Sequence, residues 1–391
     1  MDAIILAAGI GERLRPITSS RPKPFSPILG RPLIERNISI LRKYADKVYV
    51  VMKEGRESDF EGIEDIVLIK QSKGYGDGAG LNAAKIENDF IMVYGDLLFD
   101  EESIKTVAEA EGNAMLCRAD KNPQNYGVVY MEDGVLQRIE EKPKNPSSNL
   151  INLGIFRFTP EIFGFLDQIE LSTNTGELEL VDAVTLMSKE TPVKVLVHNG
   201  LWMDIGRPWH MLEANRTVLD SELTHIRNNP NAEEGVRIKN KVIFEEGVSI
   251  GEGTEIIGPV YIAKGVKIGR NATIGPYTII GHNTTIYDSA TVEGSLIMEG
   301  VTIGKGSDVR DSIICENSLI GDHARFINMK PDGSDVWMWL GNKHYSTGLK
   351  KFGCIIGANS RISNNVEIEP GIKIKENTEV RPKTVVAEDI M

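Results

Sequence analysis

Residues 250–298 read IGEGTE IIGPVY IAKGVK IGRNAT IGPYTI IGHNTT IYDSAT VEGSLI M, with an aliphatic residue or methionine at every sixth position. This spacing fits neither the 3.6-residue period of a helix nor the two-residue period of a strand. It is typical of a hexapeptide β-helix, in which each short strand contributes one inward aliphatic side chain and the turns take glycine, asparagine and aspartate. The nine predicted core positions are Ile250, Ile256, Ile262, Ile268, Ile274, Ile280, Ile286, Val292 and Met298.

The hexapeptide period is not uniform over the rest of the chain. Two five-residue steps, from Met298 to Ile303 and from Val309 to Ile314, shift its register. An irregular stretch at 326–353 then interrupts it, and such a break inside a coil is either an ejected loop with a function or a tolerated insertion. Beyond the break, core positions are again predicted six residues apart, at Ile356, Ile362, Ile368, Ile374 and Val380.

The first 215 residues have a different texture. Short aliphatic runs alternate with segments of helical spacing such as Leu33–Tyr44 and Glu101–Glu111, which predicts an α/β fold with a mostly parallel sheet. The predicted strands are Ala3–Ala8, Lys47–Met52, Asp65–Ile69, Phe90–Tyr94 and Ala114–Cys117. An amphipathic helix over 208–226 and an asparagine-rich linker follow, so we expect two domains, 1–226 and 227–391.

The composition narrows the range of functions. A net charge of −12 argues against nucleic-acid and anionic-membrane partners, because both require a basic field. No run approaches the roughly 18 apolar residues that span a bilayer, and the N-terminus does not resemble a signal peptide. Three cysteines without a CxxC motif are typical of reduced, structural thiols. We therefore expect a cytoplasmic protein.

The N-terminal segment combines a glycine turn with positive charge. The first predicted strand ends in Gly9-x-Gly11-x-Arg13, and four cations fall within eleven residues: Arg13, Arg15, Arg21 and Lys23. Glycines let a backbone approach a ligand closely, and cations beyond such a turn suit a polyphosphate. Leu14 stands where a dinucleotide fingerprint has its third glycine, and no Gly-Lys-Ser/Thr loop is present. A nucleotide enzyme of another class is indicated.

This segment resembles the signature of the sugar-1-phosphate nucleotidylyltransferases, LAAGxGxRLxPxTxxxPKP, and carries it intact from Leu6 to Pro24. Further motifs resemble that family in the same order: Gln71 with Gly76-Asp77, Tyr94-Gly95-Asp96, Tyr126-Gly127-Val128-Val129, Glu140-Glu141-Lys142-Pro143, Asn152-x-Gly154 and Trp202-x-Asp204. Over the whole chain the pattern is similar to the archaeal-type bifunctional enzymes that pair a nucleotidylyltransferase with an acetyltransferase. The resemblance implies a Rossmann-like nucleotidyltransferase domain followed by a left-handed parallel β-helix.

The resemblance implies a site for a nucleoside triphosphate. Arg13 is expected to bind the β- and γ-phosphates and Lys23 the α-phosphate, while Gln71 resembles the residue that reads the base. The family's Gly-Thr is Gly76-Asp77 here, which leaves the choice of base open. The nucleotide-binding residues that the resemblance implies are Leu6, Ala7, Ala8, Gly9, Gly11, Gln71, Gly76 and Asp77.

A metal site and a sugar-phosphate site are implied as well. Asp96 and Asp204 are expected to bind Mg²⁺, which prefers oxygen ligands and needs only one or two carboxylates. With Arg13 and Lys23 they form the implied catalytic set. Lys142 is expected on the phosphate of the incoming sugar. The implied sugar-phosphate residues are Gly127, Glu141, Lys142, Asn152 and Glu177, with Glu179 as an alternative to Glu177.

The implied reaction is attack by a sugar 1-phosphate oxygen on the α-phosphorus of UTP or dTTP, with pyrophosphate leaving. The sugar is glucose 1-phosphate or an N-acetylhexosamine 1-phosphate. Because two anions must meet, the main tasks are charge neutralisation and alignment. The alternatives are a mannose-1-phosphate guanylyltransferase and a non-catalytic regulatory subunit that binds nucleotide sugars.

The second domain leaves a further alternative open. In this family the hexapeptide coil is often an acetyltransferase that uses acetyl-CoA, and it implies a homotrimer or larger homo-oligomer. Acetyl transfer needs a base, and the family supplies a coil histidine where this chain has residues 304–311, which contain none. His323 and His344 stand at other positions. The domain is expected either to acetylate an amino-sugar phosphate or to serve in assembly or regulation.

Overall fold

The structure is a computed structural model, and it describes residues 1–72, 74–173, 175–222, 228 and 230–391. Contacts divide the chain into two compact units. The first consists of Met1–Ile10 and Leu33–Asp204, and the second of Gly11–Pro32 and Ile205–Met391. The predicted domain boundary between 226 and 227 lies outside the described residues and stays a prediction.

The first unit is built on one nine-stranded sheet. Four neighbouring strands are parallel, with Asp2–Leu6 between Val48–Lys53 and Phe90–Tyr94, which confirms the Rossmann-like part of the prediction. Leu150–Phe158 then pairs antiparallel with strands on both of its sides and extends the sheet. In order across the sheet, the strands are Ile66–Gln71, Val48–Lys53, Asp2–Leu6, Phe90–Tyr94, Leu150–Phe158, Asn113–Ala119, Val193–Val197, Val135–Glu141 and Gly127–Glu132.

Helices pack on this sheet through apolar side chains. Leu81 and Val184, on two different helices, belong to the same buried cluster as Ile4 and Phe156 of the sheet. The predicted strands and helices of the first unit are found with ends that differ by at most three residues. The helices are Leu33–Leu41, Asp77–Ala84, Glu101–Ala108, Ile162–Leu166 and Leu180–Met187, with 3-10 turns at Glu57–Phe60 and Pro123–Asn125.

The second unit contains three long parallel sheets, of eight, eight and seven short strands. Within one sheet the strands recur every 18 residues over much of the stack, as in Ser249–Ile250, Lys267–Ile268 and Thr285–Ile286, because three hexapeptides complete one coil. This is the predicted left-handed parallel β-helix.

The strands of the three sheets follow one another in regular order. The first sheet contains Asn231–Ala232, Ser249–Ile250, Lys267–Ile268, Thr285–Ile286, Thr302–Ile303, Leu319–Ile320, Arg361–Ile362 and Glu379–Val380. The second contains Arg237–Lys239, Glu255–Ile257, Thr273–Ile274, Thr291–Glu293, Asp308–Arg310, Arg325–Phe326, Glu367–Ile368 and Val385–Val386. The third contains Val242–Phe244, Val260–Ile262, Thr278–Ile280, Leu296–Ile297, Ile313–Ile314, Ile355–Ile356 and Lys373–Ile374.

The aliphatic residues spaced by six form the β-helix core, as predicted, but the first register shift lies elsewhere. Strand pairing aligns Ile297 with Ile280, and Ile297 rather than Met298 belongs to the core cluster. The core position predicted at Met298, and the step from Met298 to Ile303, are therefore wrong. The five-residue step runs from Val292 to Ile297, and two adjacent hydrophobic residues concealed it.

Turns of the β-helix use residues that accept a positive φ. Asn271 and Asn283 have φ angles of 51° and 56°, and Gly253 and Gly265 occupy the corresponding turns one coil earlier. Asparagine tolerates this left-handed region better than most residues with a side chain. A Cβ on Gly265 would lie 2.5 Å from Oδ1 of Asn283, so the stacked turns leave room for one side chain.

The irregular stretch at 326–353 leaves the stack and returns to it. Ile313 pairs with Ile355, 42 residues later, so the sheet continues past the insertion. The insertion forms an antiparallel ribbon of Trp337–Leu340 and Lys343–Ser346. Alternate residues of the first strand are buried and exposed. The stretch is therefore a folded ribbon rather than an open loop.

The second unit also contains the segment Gly11–Pro32 and a helix, Pro208–Glu222, that begins where the sequence predicted. The predicted helix end at 226 lies outside the described residues. Asn215 holds the segment, because the Leu29 N–H donates to its Oδ1 at 2.9 Å and its Nδ2 donates to the Pro27 carbonyl at 3.1 Å. The segment comprises helix Ile17–Ser20, 3-10 turns Glu12–Leu14 and Lys23–Phe25, and strands Pro27–Ile28 and Arg31–Pro32.

The same helix also contacts the β-helix at the shifted register. Arg216 forms an ion pair with Asp311. A Cβ on Gly294 would lie 3.1 Å from Nη2 of Arg216. Gly294 and Asp311 are the turn residues of the two five-residue steps, one coil apart. In the described part of the chain, no helix has the length and apolar character needed to cross a bilayer.

Candidate active site

Two predicted metal ligands, Asp96 and Asp204, lie at a short ribbon of the first unit. Leu97–Phe99 pairs antiparallel with Trp202–Asp204, and Asp204 lies opposite Leu97. Asp96 directly precedes this strand, in the turn that follows a buried strand of the sheet. Neighbouring positions across an antiparallel ribbon lie within roughly 5–8 Å. The register therefore brings the two aspartates to the same end of the ribbon.

This pair of carboxylates fits a magnesium ion. Over the described ranges, no group of three or more His, Cys, Asp and Glu side chains is arranged to hold a metal. Magnesium does not need such a group, because it keeps several waters and shares oxygens of a phosphate substrate. Asp96 and Asp204 are both half-buried. Asp96 follows the strand Phe90–Tyr94, and Asp204 is the last residue of the strand Trp202–Asp204.

The strand ends around the ribbon are joined by main-chain hydrogen bonds. The Gly95 N–H donates to the Leu6 carbonyl at 2.8 Å, and the Ala7 N–H donates to the Val51 carbonyl at 2.8 Å. The predicted nucleotide-binding residues Leu6 to Gly9 therefore start at a strand directly beside the one that precedes Asp96. They lie at the carboxyl edge of the parallel strands, where such sheets bind ligands.

Gly154 fits against the ring of Tyr94. Its φ is 67°, and a Cβ there would overlap that ring. Its N–H donates to Oδ1 of Asn152 at 2.8 Å. A side chain at 154 would therefore displace Tyr94, which stands two residues before Asp96.

Three of the predicted sugar-binding residues converge. Glu141 lies opposite Gly127 on the neighbouring strand. A Cβ on Gly127 would lie 3.1 Å from Oε2 of Glu141 and 3.6 Å from the Cβ of Asn152. The glycine thus lets the Glu141 carboxylate and the Asn152 side chain lie close to the same stretch of backbone. Such groups can accept and donate hydrogen bonds to sugar hydroxyls.

Lys142 adds a cation to this group. Its ammonium pairs with the Glu141 carboxylate, and both side chains are partly exposed. The main chain of Lys142 is fixed, because its N–H donates to the Tyr126 carbonyl at 3.0 Å. Exposed ion pairs are weak, so the ammonium can exchange its carboxylate partner for a phosphate.

Glu177 lies beside the glycine loop of the predicted nucleotide site. Gly76 has a φ of 96°, and a Cβ there would lie 2.9 Å from the Cβ of Glu177. The Gly78 N–H donates to the Leu178 carbonyl at 2.9 Å, which holds the two segments together. The alternative residue, Glu179, accepts a hydrogen bond from the Thr175 hydroxyl at 2.7 Å.

Gln71 ends the edge strand of the sheet and covers the same loop. Its Nε2 donates to the carbonyls of Gly74 and Gly76 at 3.4 and 3.3 Å. A Cβ on Gly80 would lie 3.1 Å from its Oε1. These hydrogen bonds are longer than the usual 2.7–3.2 Å, so the amide is held weakly and a ligand can compete for it.

Asp77 has structural contacts that the sequence motif did not indicate. Its Oδ1 accepts the N–H groups of Gly78 and Leu180, each at 2.8 Å, and its Oδ2 accepts the hydroxyl of Tyr94. Burial raises the pKa of Asp77, and these three donors partly offset the rise. The carboxylate thus joins two helix starts to the strand before Asp96. A nucleotide contact by this side chain stays a prediction.

Arg118 contacts the ribbon of Leu97–Phe99 and Trp202–Asp204, and the sequence analysis did not single it out. Its guanidinium carbon lies 4.6 Å from the centroid of the Trp202 ring, and its Nη1 donates to the Trp202 carbonyl at 3.2 Å. Nε1 of Trp202 donates to the Leu153 carbonyl at 2.7 Å. These contacts fix the strand that ends at Asp204. Arg118 belongs to no motif, so only the fold reveals it.

Gly11, Arg13 and Lys23 belong to the second unit. Gly11 has a φ of 70°, and a Cβ there would lie 3.1 Å from the Cβ of Lys23. The Thr18 hydroxyl donates to the Gly11 carbonyl at 2.7 Å, and the Ser26 hydroxyl donates to the Lys23 carbonyl at 2.7 Å. Arg13 is exposed. The part of the signature from Gly11 onward thus folds into one compact segment that carries both predicted phosphate-binding cations.

The two histidines considered for acetyl transfer both have packing contacts. His323 occupies a turn with a φ of 56°, and a Cβ on Gly306 would lie 2.6 Å from its Nδ1. The ring of His344 is stacked on Trp339 with centroids 4.7 Å apart. Neither histidine lies in 304–311, the segment where the resemblance implies a base.

Comparisons with known proteins agree with these motifs. Residues 2–221 match the family model described as Nucleotidyl transferase, and residues 256–338 match the GMPPB C-terminal domain. The chain is 42% identical over its whole length to a bifunctional sugar-1-phosphate nucleotidylyltransferase/acetyltransferase of Sulfurisphaera tokodaii, 98% of which is covered. It is 37% identical, again over its whole length, to the bifunctional protein GlmU of Methanocaldococcus jannaschii, 96% of which is covered.

A solved structure is similar in fold to about half of the chain. A UDP-glucose pyrophosphorylase complexed with UDP-glucose aligns with 56% of this chain and 98% of its own, with a TM-score of 0.50 and 20% identity. The sheet, the glycine signature and the paired aspartates define an enzyme of the nucleotidyltransferase class. Within that class, the chain belongs to the sugar-1-phosphate nucleotidylyltransferase family, and its Sulfurisphaera tokodaii relative is named as an acetyltransferase as well.

Proposed function

We propose that this enzyme transfers a nucleotidyl group from UTP or dTTP to glucose 1-phosphate or an N-acetylhexosamine 1-phosphate, with Mg²⁺ as cofactor. A phosphate oxygen of the sugar attacks the α-phosphorus. The bond from the α-phosphorus to the bridging oxygen breaks, and pyrophosphate leaves with that oxygen. The products are a nucleoside diphosphate sugar and pyrophosphate.

The residues divide the work of bringing two anions together. Arg13 binds the β- and γ-phosphates, Lys23 binds the α-phosphate, and Lys142 binds the phosphate of the sugar. Asp96 and Asp204 would hold Mg²⁺, which would supply further positive charge for the phosphates. Neutralisation and alignment of this kind are the main contributions to phosphoryl-type transfer.

The observation that carries the proposal is the convergence of Gly127, Glu141 and Asn152. Glu141 lies opposite Gly127 on the paired strand, and the Cβ of Asn152 lies near the same glycine. Lys142 follows Glu141 in the chain. A hydroxyl-rich ligand with one phosphate matches this set: the carboxylate and amide suit hydroxyls, and the ammonium suits the phosphate.

The preference for a pyrimidine base depends on Gln71. Its amide has a donor and an acceptor, and the donor, Nε2, makes only long hydrogen bonds within the loop. A uracil or thymine edge offers a matching acceptor and donor. The same pairing does not separate UTP from dTTP, so the two nucleotides are proposed together.

Pyrophosphate release over a panel of substrates tests the proposal. UTP, dTTP, GTP, ATP and CTP are each combined with the 1-phosphates of glucose, N-acetylglucosamine, N-acetylgalactosamine and mannose. Turnover is expected with UTP or dTTP, and it should stop when EDTA removes Mg²⁺. If GTP with mannose 1-phosphate is the preferred pair, the proposed activity is wrong and the enzyme is a mannose-1-phosphate guanylyltransferase. No turnover with any pair would leave a regulatory subunit.

One observation favours a second activity, acetylation of an amino-sugar phosphate. The match to the Sulfurisphaera tokodaii protein, whose name includes acetyltransferase, extends over the whole chain and 98% of that relative. Consumption of acetyl-CoA with glucosamine 1-phosphate, compared with galactosamine 1-phosphate, tests it. If neither amine is acetylated, the β-helix serves in assembly or regulation. We also propose that the β-helix assembles the chain into a homotrimer or a larger homo-oligomer. Light scattering tests this, and a monomeric mass would contradict it.

A further inference from the structure

Arg21 lies inside the N-terminal signature but binds to the β-helix. Its Nη2 lies 2.7 Å from Oε1 of Glu299 and 2.9 Å from Oε2 of Glu316. Only 18% of the Arg21 side chain is exposed. All three residues belong to the second unit, although Arg21 and Glu299 are 278 positions apart in the chain. The signature itself requires no particular residue at position 21.

The two glutamates form a site that suits a guanidinium. They occupy corresponding turns one coil apart, since the Asn317 N–H donates to the Glu299 carbonyl at 2.9 Å. Neighbouring strands in a sheet are about 4.8 Å apart, so two carboxylates in stacked turns repel each other unless a cation lies between them. Arginine serves better than lysine here, because its planar, permanently charged fork can contact both carboxylates.

Little freedom separates Arg21 from Lys23. Arg21 directly follows the helix Ile17–Ser20. Pro22, whose ring fixes its φ, directly precedes the 3-10 turn that begins at Lys23. The Phe25 N–H donates to the Pro22 carbonyl at 2.9 Å, and the Ser26 N–H donates to the Lys23 carbonyl at 3.0 Å. A displacement of Arg21 is therefore passed on to Lys23 rather than absorbed by a flexible linker.

We propose that Arg21 is a positioning residue for nucleotidyl transfer. Held by Glu299 and Glu316, it fixes the turn from which Lys23 binds the α-phosphate. The β-helix thereby supports the first reaction without touching the nucleotide. This inference rests on the proposed function, because it requires that Lys23 acts on a phosphate.

Substitutions on both sides of the contact test the proposal. Arg21→Met, and the double variant Glu299→Gln with Glu316→Gln, are expected to lower kcat/KM for the nucleotide by about tenfold to a hundredfold, because a displacement of about 1 Å can cost that much. Arg21→Lys should recover part of the loss, since it restores the charge. Arg216→Met is the matched control: it breaks another arginine–carboxylate pair with the coil, and kcat/KM should stay unchanged.

A second readout does not depend on activity. Hydrogen exchange of the Phe25 and Ser26 amides should be faster in Arg21→Met than in the wild-type protein, and unchanged in Arg216→Met. Wild-type kcat/KM in Arg21→Met, or wild-type exchange at these amides, overturns the proposal while leaving the proposed function intact. If the wild-type enzyme converts no substrate pair, the proposed function fails and the catalytic role of Arg21 fails with it; faster exchange would then identify Arg21 as a structural anchor only.

Discussion

Single residues determine how Asp96 is presented. Tyr94, two positions earlier, packs against Gly154 on one side and donates its hydroxyl to Asp77. The sequence identified Gly154 as part of a motif, but it assigned Asp77 only to a nucleotide loop. The reason is physical: Asp77 accepts the N–H of Leu180, 103 positions away, and no local pattern records such a contact.

Gly154→Ala should reduce both stability and activity. The added Cβ would overlap the Tyr94 ring, and alanine is strained at a φ of 67°; strain of this kind costs about 1–3 kcal/mol before any clash. Gly164→Ala is the control, because its Cβ meets nothing within 4 Å and it lies inside the helix Ile162–Leu166. The free energy of unfolding of this control variant should rise by about 0.5–1 kcal/mol. Urea unfolding and kcat measure both effects, and equal stability of the two variants would contradict this account.

Asp100 predicts a dependence of stability on pH. It caps the helix Glu101–Ala108, with Oδ1 accepting the Ser103 N–H at 2.9 Å and Oδ2 accepting the Leu201 N–H at 2.8 Å. Burial raises the pKa of Asp100, but the hydrogen bond from the Ser103 hydroxyl, these two N–H donors and nearby His198 together outweigh it, so the pKa lies below its usual 3.8. A lowered pKa in the folded state means that the contribution to stability is present above pH 3.8 and is lost as pH falls through the lower folded value.

Asp100→Asn keeps an oxygen that can cap the helix but removes the titrating charge. The free energy of unfolding of the wild-type protein should therefore decrease more steeply below about pH 4 than that of the variant. Urea unfolding between pH 3 and pH 7 measures the difference. Superimposable pH profiles for the two proteins would show that Asp100 does not contribute in this way.

At the scale of elements, the ribbon of Leu97–Phe99 and Trp202–Asp204 is the decisive piece. Its register brings together two aspartates that the chain separates by 108 positions. The resemblance of their motifs to the family singled out both aspartates in the sequence, and their binding of a metal stays a prediction. Their pairing could not be derived from periodicity, because three-residue strands are too short to show one.

Asp204→Asn should lower turnover sharply and leave folding nearly unchanged. The amide keeps the size of the side chain but weakens the charge that would hold Mg²⁺, and a loss of at least about tenfold is expected because even outer contacts of a metal site cost 10–100-fold. Asp133→Asn is the control, since Asp133 is exposed in a turn with a φ of 49° that asparagine tolerates. Pyrophosphate release against Mg²⁺ concentration measures the effect, and wild-type turnover in Asp204→Asn would remove this residue from the metal site.

The β-helix shows both the strength and the limit of periodicity. Most core positions were predicted correctly, because a strict six-residue repeat leaves few alternatives. One core position was misplaced by one residue, which moved the first shift by one repeat, since Ile297 and Met298 are both hydrophobic and only strand pairing separates them. Turn geometry at Gly294 and Asp311, rather than the spacing of aliphatic residues, marks the shift.

For the molecule as a whole, the order of motifs gave the family, and composition gave the state of the cysteines. The sequence could not predict the contact of Arg21 with Glu299 and Glu316. Ion pairs between distant residues leave no periodic trace, and a single arginine in a signature rich in cations looks like its neighbours. The predicted reduced thiols are confirmed, since Cys117, Cys315 and Cys354 are all free and buried.

These cysteines should be unreactive in the folded protein. Burial raises the pKa of Cys117 to about 11, and it raises the pKa values of Cys315 and Cys354 further. The thiolate is the reactive form, so a thiol reagent at pH 8 should label the native protein very slowly. Three equivalents should react after unfolding in urea, matching the three cysteines of the chain. Rapid labelling before unfolding would contradict the buried placement.

The two shortened turns determine where on the β-helix the helix Pro208–Glu222 can pack. In a stack of identical coils every turn has the same surface, so a helix that packs against the stack has no unique binding position. Between Ile250 and Phe326 the core step is five residues only at the turns of Gly294 and Asp311, and Arg216 binds there. The shortened turns therefore determine the coil on which the helix Pro208–Glu222 packs. If whole coils were added or lost beyond these turns, the helix would still pack on the same coil.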